Sequence, residues 1–208
     1  TMNVTIFKSV FDKENPHVIT LQTALSRIQD GKSSTTIDEV RSGKKDKKKS
    51  LPVVCFSGEF SSRSDDALFE HSGFIVLDFD HVDVDQTKRS LATDDFIHSC
   101  WTSPSGNGVK ALVKITNPER HRDHFRALVK YFEKQHGLEV DESGVNESRA
   151  CYESYDPDII IKDDFKKFGA FTSEHAEAQT PTNDAYDHTD YQRLNLAARM
   201  IRQAEDGS

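Results

Sequence analysis

The 208-residue sequence lacks any apolar run long enough to span a bilayer, and it shows no secretory signal. Cysteine is scarce, because Cys55, Cys100 and Cys151 are the only three. They lie far apart, give no metal-ligand spacing and cannot all pair, so a reducing cytoplasm is the expected location. The histidines are scattered and form no His-Glu-x-x-His or comparable zinc pattern. No membrane partner is expected.

Positive charge is also in short supply, since the formal net charge is −8 at pH 7. This balance argues against a grip on nucleic acid by the whole surface, which is typical of basic domains. It still permits a local basic groove or a site that binds anions through metal ions. The segment 41–50 is the one dense basic run, with six basic residues in ten. It is interpreted either as a solvated loop or as an arm that contacts phosphates.

The residues 73–80 read Gly-Phe-Ile-Val-Leu-Asp-Phe-Asp and predict a buried strand that ends in two carboxylates. Because side chains alternate along a strand, the apolar residues share one face and Asp78 and Asp80 share the other. Their Cα atoms should lie roughly 6–7 Å apart. That spacing suits a hard divalent cation, or two ions about 4 Å apart in a phosphoryl-transfer site. Taken alone, the pair also fits two solvated acids at a strand end.

The remaining patterns predict a chain that contains both strands and helices. Strands are expected over residues 3–10, 51–56, 96–101, 109–115, 138–140 and 150–155. Helices are expected after Thr20 as far as Gly31, over 36–40, from Asp83 or Asp85 through Leu91, and over 119–136. The strands 73–80 and 109–115 each show an apolar face and a face that carries charge, which is typical of a sheet covered by helices on one side and open on the other.

A turn-rich loop, Ser103-Pro-Ser-Gly-Asn-Gly108, precedes Lys110. Glycine lets the backbone approach a phosphate closely, and nearby N–H groups and a lysine can hold its oxygens. An ordinary hairpin turn followed by a solvated lysine is the plain alternative. The carboxylate pair favours the functional interpretation, because nucleotide transfer needs metal ligands and a cation for the triphosphate.

At this point the sequence resembles a family. The residues that carry the resemblance are, in order, Leu-Asp78-Phe-Asp80, Ser103-Pro-Ser105-Gly106-Asn-Gly108-Val-Lys110, and Val-Asp141 with Ser-Arg149. They are similar to the three motifs of archaeo-eukaryotic primase-polymerases. More narrowly, the chain resembles the N-terminal domain of virulence-associated protein E and related primase-helicases of bacterial mobile elements. The likeness covers about residues 50–160 by motif.

The resemblance implies a function and a set of site residues. It places Mg²⁺ or Mn²⁺ and the catalysis of nucleotidyl transfer at Asp78, Asp80 and Asp141. It places nucleotide binding at Ser103, Ser105, Gly106, Gly108, Lys110 and Arg149. The implied partners are a nucleoside triphosphate, a DNA or RNA template and a helicase region on the same full-length chain. The implied fold is α+β, with an RRM-like core, a mainly antiparallel sheet, helices on one face and an open catalytic face.

One residue departs from the wider family pattern, because Lys110 stands where a histidine is usual. Lysine can still neutralise a phosphate as a point charge, but it cannot act as a neutral imidazole donor. A non-catalytic module of the same fold that binds nucleotide or nucleic acid is therefore an alternative function. A phosphatase of the haloacid dehalogenase type is a weaker one, with Asp78, Asp80, Lys110 and Asp163-Asp164 as its motifs.

Sequence alone leaves two candidates for the third carboxylate. Asp156 precedes Pro157, and Asp-Pro is typical of turns. Asp141 follows an extended segment and precedes Arg149 in the order that the resemblance implies, so Asp141 is assigned to the metal site.

The domain organisation is predicted as a primase-polymerase-like domain over 1–171 and a linker over 172–190, which has few large apolar residues. Residues 191–208 resume helical spacing and resemble the start of a truncated helical C-terminal region.

Overall fold

A computed structural model describes residues Met2–Thr172. The predicted C-terminal helical region and all of the predicted linker except Thr172 lie outside the described residues. The strands are β1 (Asn3–Phe7), β2 (His17–Thr20), β3 (Val53–Cys55), β4 (Gly58–Phe60), β5 (Leu68–His71), β6 (Phe74–Asp80), β7 (Ile97–Thr102), β8 (Gly108–Lys114), β9 (Cys151–Tyr152) and β10 (Ile160–Ile161). The α-helices are α1 (Leu21–Gln29), α2 (Ser34–Arg41), α3 (Val84–Ala92) and α4 (His121–His136).

The strands form two four-stranded antiparallel sheets and a two-stranded hairpin. The first sheet has the order β2-β1-β3-β9 and the second has the order β10-β7-β8-β6, while β4 pairs with β5. The α+β class with antiparallel sheets is therefore confirmed. No helix in the described part of the chain is long and apolar enough to cross a membrane.

The predicted helices form where their caps and apolar stripes indicated. Thr20 caps α1 by accepting a hydrogen bond from the N–H of Thr23, and Asp83 caps α3 through Gln86 in the same way. Gly137 ends α4 in the left-handed conformation, with φ at 62°. The apolar stripes of α3 and α4 pack on one face of the second sheet, against Ile75, Leu77 and Phe79.

The opposite face of this sheet is not open along its whole length, which corrects the predicted open catalytic face. Phe74, Val76 and Leu112 lie on that face and are buried with Trp101 against α1 and strands of the first sheet. The face is covered because burial of the large apolar side chains next to the charged ones is favourable. The end of the face that carries the carboxylates reaches a cavity.

Several segments differ from the sequence prediction, and strands β2, β4, β5 and β10 have no predicted counterpart. Residues 138–140 form no strand, and the strand predicted over 150–155 is reduced to Cys151–Tyr152. The basic run is ordered, because α2 extends to Arg41 and a 3-10 helix covers Lys45–Ser50.

Candidate metal and nucleotide site

The carboxylates of β6 stand at the end of an antiparallel pair of strands. Asp78 lies opposite Lys110 of β8, and Asp80 lies opposite Gly108. Gly108 permits this approach, because a Cβ atom there would lie 2.7 Å from the carbonyl oxygen of Phe79. The register of two strands therefore places two acids and one buried lysine side by side.

Asp141 joins this pair from the segment that follows α4. Its backbone N–H donates to the carbonyl oxygen of Asp78 at 2.9 Å. One carboxylate oxygen of each of Asp78, Asp80 and Asp141 lies within 4.8 Å of the other two. The predicted trio is thus brought together in space.

The donor chemistry of this trio fits Mg²⁺ or Mn²⁺. Carboxylate oxygens are the ligands that hard divalent cations prefer. The Oδ1 atom of Asp78 is buried and has no hydrogen-bond partner, so it has a lone pair to offer. The three carboxylates could therefore hold a metal ion.

Two cations already contact these carboxylates. Lys110, which is 6% exposed, donates through Nζ to Oδ2 of Asp78. Arg149 donates through Nη2 to Oδ2 of Asp141 at 2.8 Å, and the same nitrogen lies 3.8 Å from Oδ2 of Asp78. Ser143 also supports Asp141, donating through its N–H and its hydroxyl group.

These contacts set the protonation of the site. Burial alone would lower the pKa of Lys110, but neighbouring Cys151 and Asp78 outweigh burial and hold that pKa above its ordinary value. Because burial raises the pKa of Cys151 to about 11, its thiol is neutral at pH 7 and Asp78 is the true counter-charge of Lys110. Burial would raise the pKa of Asp141, but hydrogen bonds from Ser143 and the charge of Arg149 hold it below its ordinary value.

The trio opens into a cavity of about 490 Å³. Its charged lining consists of Asp78, Asp80, Asp141, Lys48, Arg63, Lys110 and Arg149. Cations thus outnumber carboxylates in the cavity, although the whole chain is acidic. This volume lies within the usual range for small-ligand sites, and the charge pattern suits an anion that arrives with a metal ion.

The profile of a known domain family, described as "BT4734-like, N-terminal domain", matches residues 46–160, which is more than half of the chain. The chain belongs to this family. The family is linked to primase-polymerase-like proteins. No curated protein and no solved structure matches the chain. The matched range of this BT4734-like domain includes every residue predicted for the site.

The glycine turn of the BT4734-like domain lies beside the carboxylates rather than in the cavity wall. Ser103, Ser105, Gly106 and Gly108 are not among the described residues that line the cavity. The N–H of Gly106 donates to the carbonyl oxygen of Ser103, which also accepts a hydrogen bond from Arg41. Gly106 has φ at 80°, which favours glycine. The turn is therefore well braced, and its contact with nucleotide stays a prediction.

Asp156, the other candidate for the third carboxylate, has a different environment. It accepts hydrogen bonds from Nζ of Lys88 at 2.6 Å and from the N–H of Thr102 at 2.7 Å. Only 4% of this residue is exposed, and it is not in the acidic trio. Asp156 thus links α3 to the end of β7.

Sequence reasoning missed part of the cavity wall in this BT4734-like domain. Arg63 and Tyr152 line the cavity, and Nζ of Lys48 lies 5.3 Å from the ring centroid of Tyr152. Lys48 belongs to the predicted basic run, so its charge was visible in the sequence. Arg63 follows β4 and Tyr152 lies in β9, and neither residue carries a local motif that signals a site.

Proposed function

We propose that this domain is a primase-polymerase-like nucleotidyltransferase that binds a nucleoside triphosphate with Mg²⁺ or Mn²⁺. It acts in the cytoplasm, in nucleic-acid priming or in the replication of a mobile element, as in primase-helicases of the virulence-associated protein E type. The observation that carries the proposal is the convergence of Asp78, Asp80 and Asp141 beside two cations. Membership of a family linked to primase-polymerase-like proteins supports it.

The chain's own residues supply three parts of this chemistry. The acidic trio would hold the metal, which would supply activation of a 3′ hydroxyl group and stabilisation of the leaving pyrophosphate. Lys110 and Arg149 neutralise phosphate oxygens, with Arg149 able to contact two oxygens at once through its planar guanidinium group. Lys48 and Arg63 extend the positive wall towards the template or the outer phosphates.

A non-catalytic module that binds nucleotide or nucleic acid is the second candidate function. It is favoured by the ion pairs of Lys110 with Asp78 and of Arg149 with Asp141, which neutralise charge in the absence of metal. The phosphatase alternative gains no such support. Asp163 and Asp164, which it needs as a later motif, do not lie among the described residues of the cavity wall.

Primer synthesis distinguishes the first two candidates. A single-stranded template, labelled nucleotides and Mn²⁺ or Mg²⁺ should give extended products, and Asp80→Asn should give none. Binding of Mn²⁺ and nucleotide without products would favour the non-catalytic module.

Nucleotide affinity tests the assigned phosphate contact separately. With the acidic trio saturated by Mn²⁺, Lys110→Ala should weaken binding of the nucleoside triphosphate by roughly 1.5–3 kcal/mol, the range for a hydrogen bond to a charged group. Equal affinity of the variant and the wild type in calorimetry would remove Lys110 from the nucleotide contact.

A further inference from the structure

Each cation at the acidic trio pairs with a carboxylate that belongs to the candidate metal site. Lys110 lies on Oδ2 of Asp78, while Oδ1 of the same carboxylate is buried without a partner. Arg149 spans Asp141 and Asp78 with one nitrogen. The carboxylates most useful to a metal are therefore the ones already neutralised by the protein.

A divalent ion at the trio would lie close to both cations. Like charges repel strongly at such separations, and the repulsion is larger in a partly buried cavity than in water. The Lys110 side chain is 8% exposed, so water screens it weakly. Metal binding must therefore overcome the charge of Lys110 or move its ammonium group away from Asp78.

We infer that Lys110 is the resident counter-ion of Asp78 and competes with divalent metal for the acidic trio, with Arg149 in the same relation to Asp141. This inference rests on the proposed function, because it takes the trio as the metal site. An incoming polyphosphate offers both cations another anionic partner. The site therefore holds metal weakly by itself and more tightly when a polyphosphate draws the cations away.

Whether one substitution raises or lowers Mn²⁺ affinity distinguishes a Lys110 that competes with metal from one that only attracts phosphate. Lys110→Met removes the charge but keeps an unbranched side chain. In a nucleotide-free titration followed by the electron paramagnetic resonance of free Mn²⁺, the variant should bind Mn²⁺ roughly 5- to 150-fold more tightly than the wild type, the usual range of coupling between two ligands.

Lys114→Met is the matched control, because Lys114 lies on β8 and on the same face as Lys110. Its Nζ lies 5.5 Å from the ring centroid of Phe74, and the residue does not line the cavity. The control loses the same formal charge and should bind Mn²⁺ as the wild type does. An equal gain in both variants would reduce the effect to net charge and overturn the inference.

A second measurement covers the case in which Lys110→Met folds poorly. Asp78 is then left without its counter-charge, and a bound divalent ion should supply the missing charge. Mn²⁺ should raise the midpoint of thermal unfolding, followed by circular dichroism, more in Lys110→Met than in the wild type. A variant that Mn²⁺ stabilises no more than the wild type would refute the competition.

The failure of this inference and the failure of the proposed metal site look different. Wild-type protein that binds Mn²⁺, beside a Lys110→Met variant that binds it equally or less tightly, would refute the competition but keep the site. Protein that binds no Mn²⁺ in either form would refute both.

Discussion

The backbone N–H of Asp141 donates to the carbonyl oxygen of Asp78 at 2.9 Å, and this bond brings together two carboxylates that are far apart in sequence. The bond forms although residues 138–140 are not a strand. It fixes the backbone of Asp141, while Ser143 and Arg149 fix its side chain. Asp141 is therefore held for a role at the trio, whereas Asp156 is held by Lys88 and Thr102.

Substitution of Asp141 should change metal affinity, whereas substitution of Asp156 should change the stability of the fold. Asp141→Asn should greatly weaken Mn²⁺ binding in calorimetry, because it removes a negative ligand. Asp156→Ala should leave Mn²⁺ affinity unchanged but destabilise the fold by roughly 3–5 kcal/mol in urea unfolding, because Lys88 becomes a buried unpaired charge. Loss of Mn²⁺ binding in a folded Asp156→Ala variant, with normal binding in Asp141→Asn, would reverse the assignment.

The Lys88–Asp156 pair should also make stability depend on pH. Burial would raise the pKa of Asp156, but hydrogen bonds from Lys88 and Thr102 hold it below its ordinary value. The carboxylate therefore contributes its full stability above the ordinary pKa near 4, and this contribution is lost as pH falls through the folded-state pKa. Urea unfolding between pH 6 and pH 2 should show a smaller loss in Asp156→Ala than in the wild type.

The Asp78–Lys110 pair should show strong energetic coupling in the metal-free protein. Asp78→Asn leaves Lys110 buried without a counter-charge and should cost about 3 kcal/mol of unfolding free energy. The double variant Asp78→Asn with Lys110→Met removes both charges and should recover part of that loss. Additive losses in urea unfolding would show that the two side chains do not stabilise each other.

The basic 3-10 helix Lys45–Ser50 should contribute to template affinity. Lys48 reaches the cavity wall, and Lys49 follows it in the same turn. Lys48→Gln with Lys49→Gln should reduce the slope of log affinity against log salt by about 0.7 for each phosphate of single-stranded DNA that the variant no longer neutralises.

Two lysines on the opposite side of the second sheet from the carboxylates provide a control with the same loss of charge. Lys134 lies in α4 and Lys167 precedes Phe168, and both neighbouring elements pack on the face away from the carboxylates. Lys134→Gln with Lys167→Gln should keep the wild-type salt slope. Equal slopes for all three proteins in fluorescence anisotropy would leave the basic segment without a role in binding.

The contact between half-buried His71 and buried His121 should destabilise the fold as pH falls. The Nδ1 atom of His71 accepts from the N–H of Gly73, so its Nε2 carries the proton and donates to Nδ1 of His121 at 2.9 Å. Burial lowers the pKa of His71 to about 4 and that of His121 to about 3. Both rings are neutral in the folded protein at pH 7.

Because the unfolded chain binds these protons near pH 6.5, stability should fall between pH 6.5 and about 4 by up to about 1.4 kcal/mol per pH unit for each histidine. His71→Asn with His121→Asn should flatten the pH dependence of the unfolding free energy in that window. An unchanged slope would mean that other groups bind the protons.

The sequence by itself determined the four α-helices and the strands that carry the two acids and the lysine. Strict alternation in 73–80 placed two acids on one face of a strand, since the side-chain period of a strand is two. The cap at Thr20, the cap at Asp83 or Asp85 and the glycine at 137 located helix ends, because unsatisfied backbone groups there need local partners. These signals are local, so one sequence suffices to detect them.

Tertiary structure decided what the elements form together. Only the pairing of β6 with β8 set Lys110 against Asp78, and only the contact of Asp141 with β6 brought it to the other two acids, which Asp156 does not join. Packing also covered part of the face that the sequence predicted to be open, and it brought Arg63 and Tyr152 to the cavity wall. Such contacts join residues distant along the chain, and the burial and register that create them have no local sequence signal.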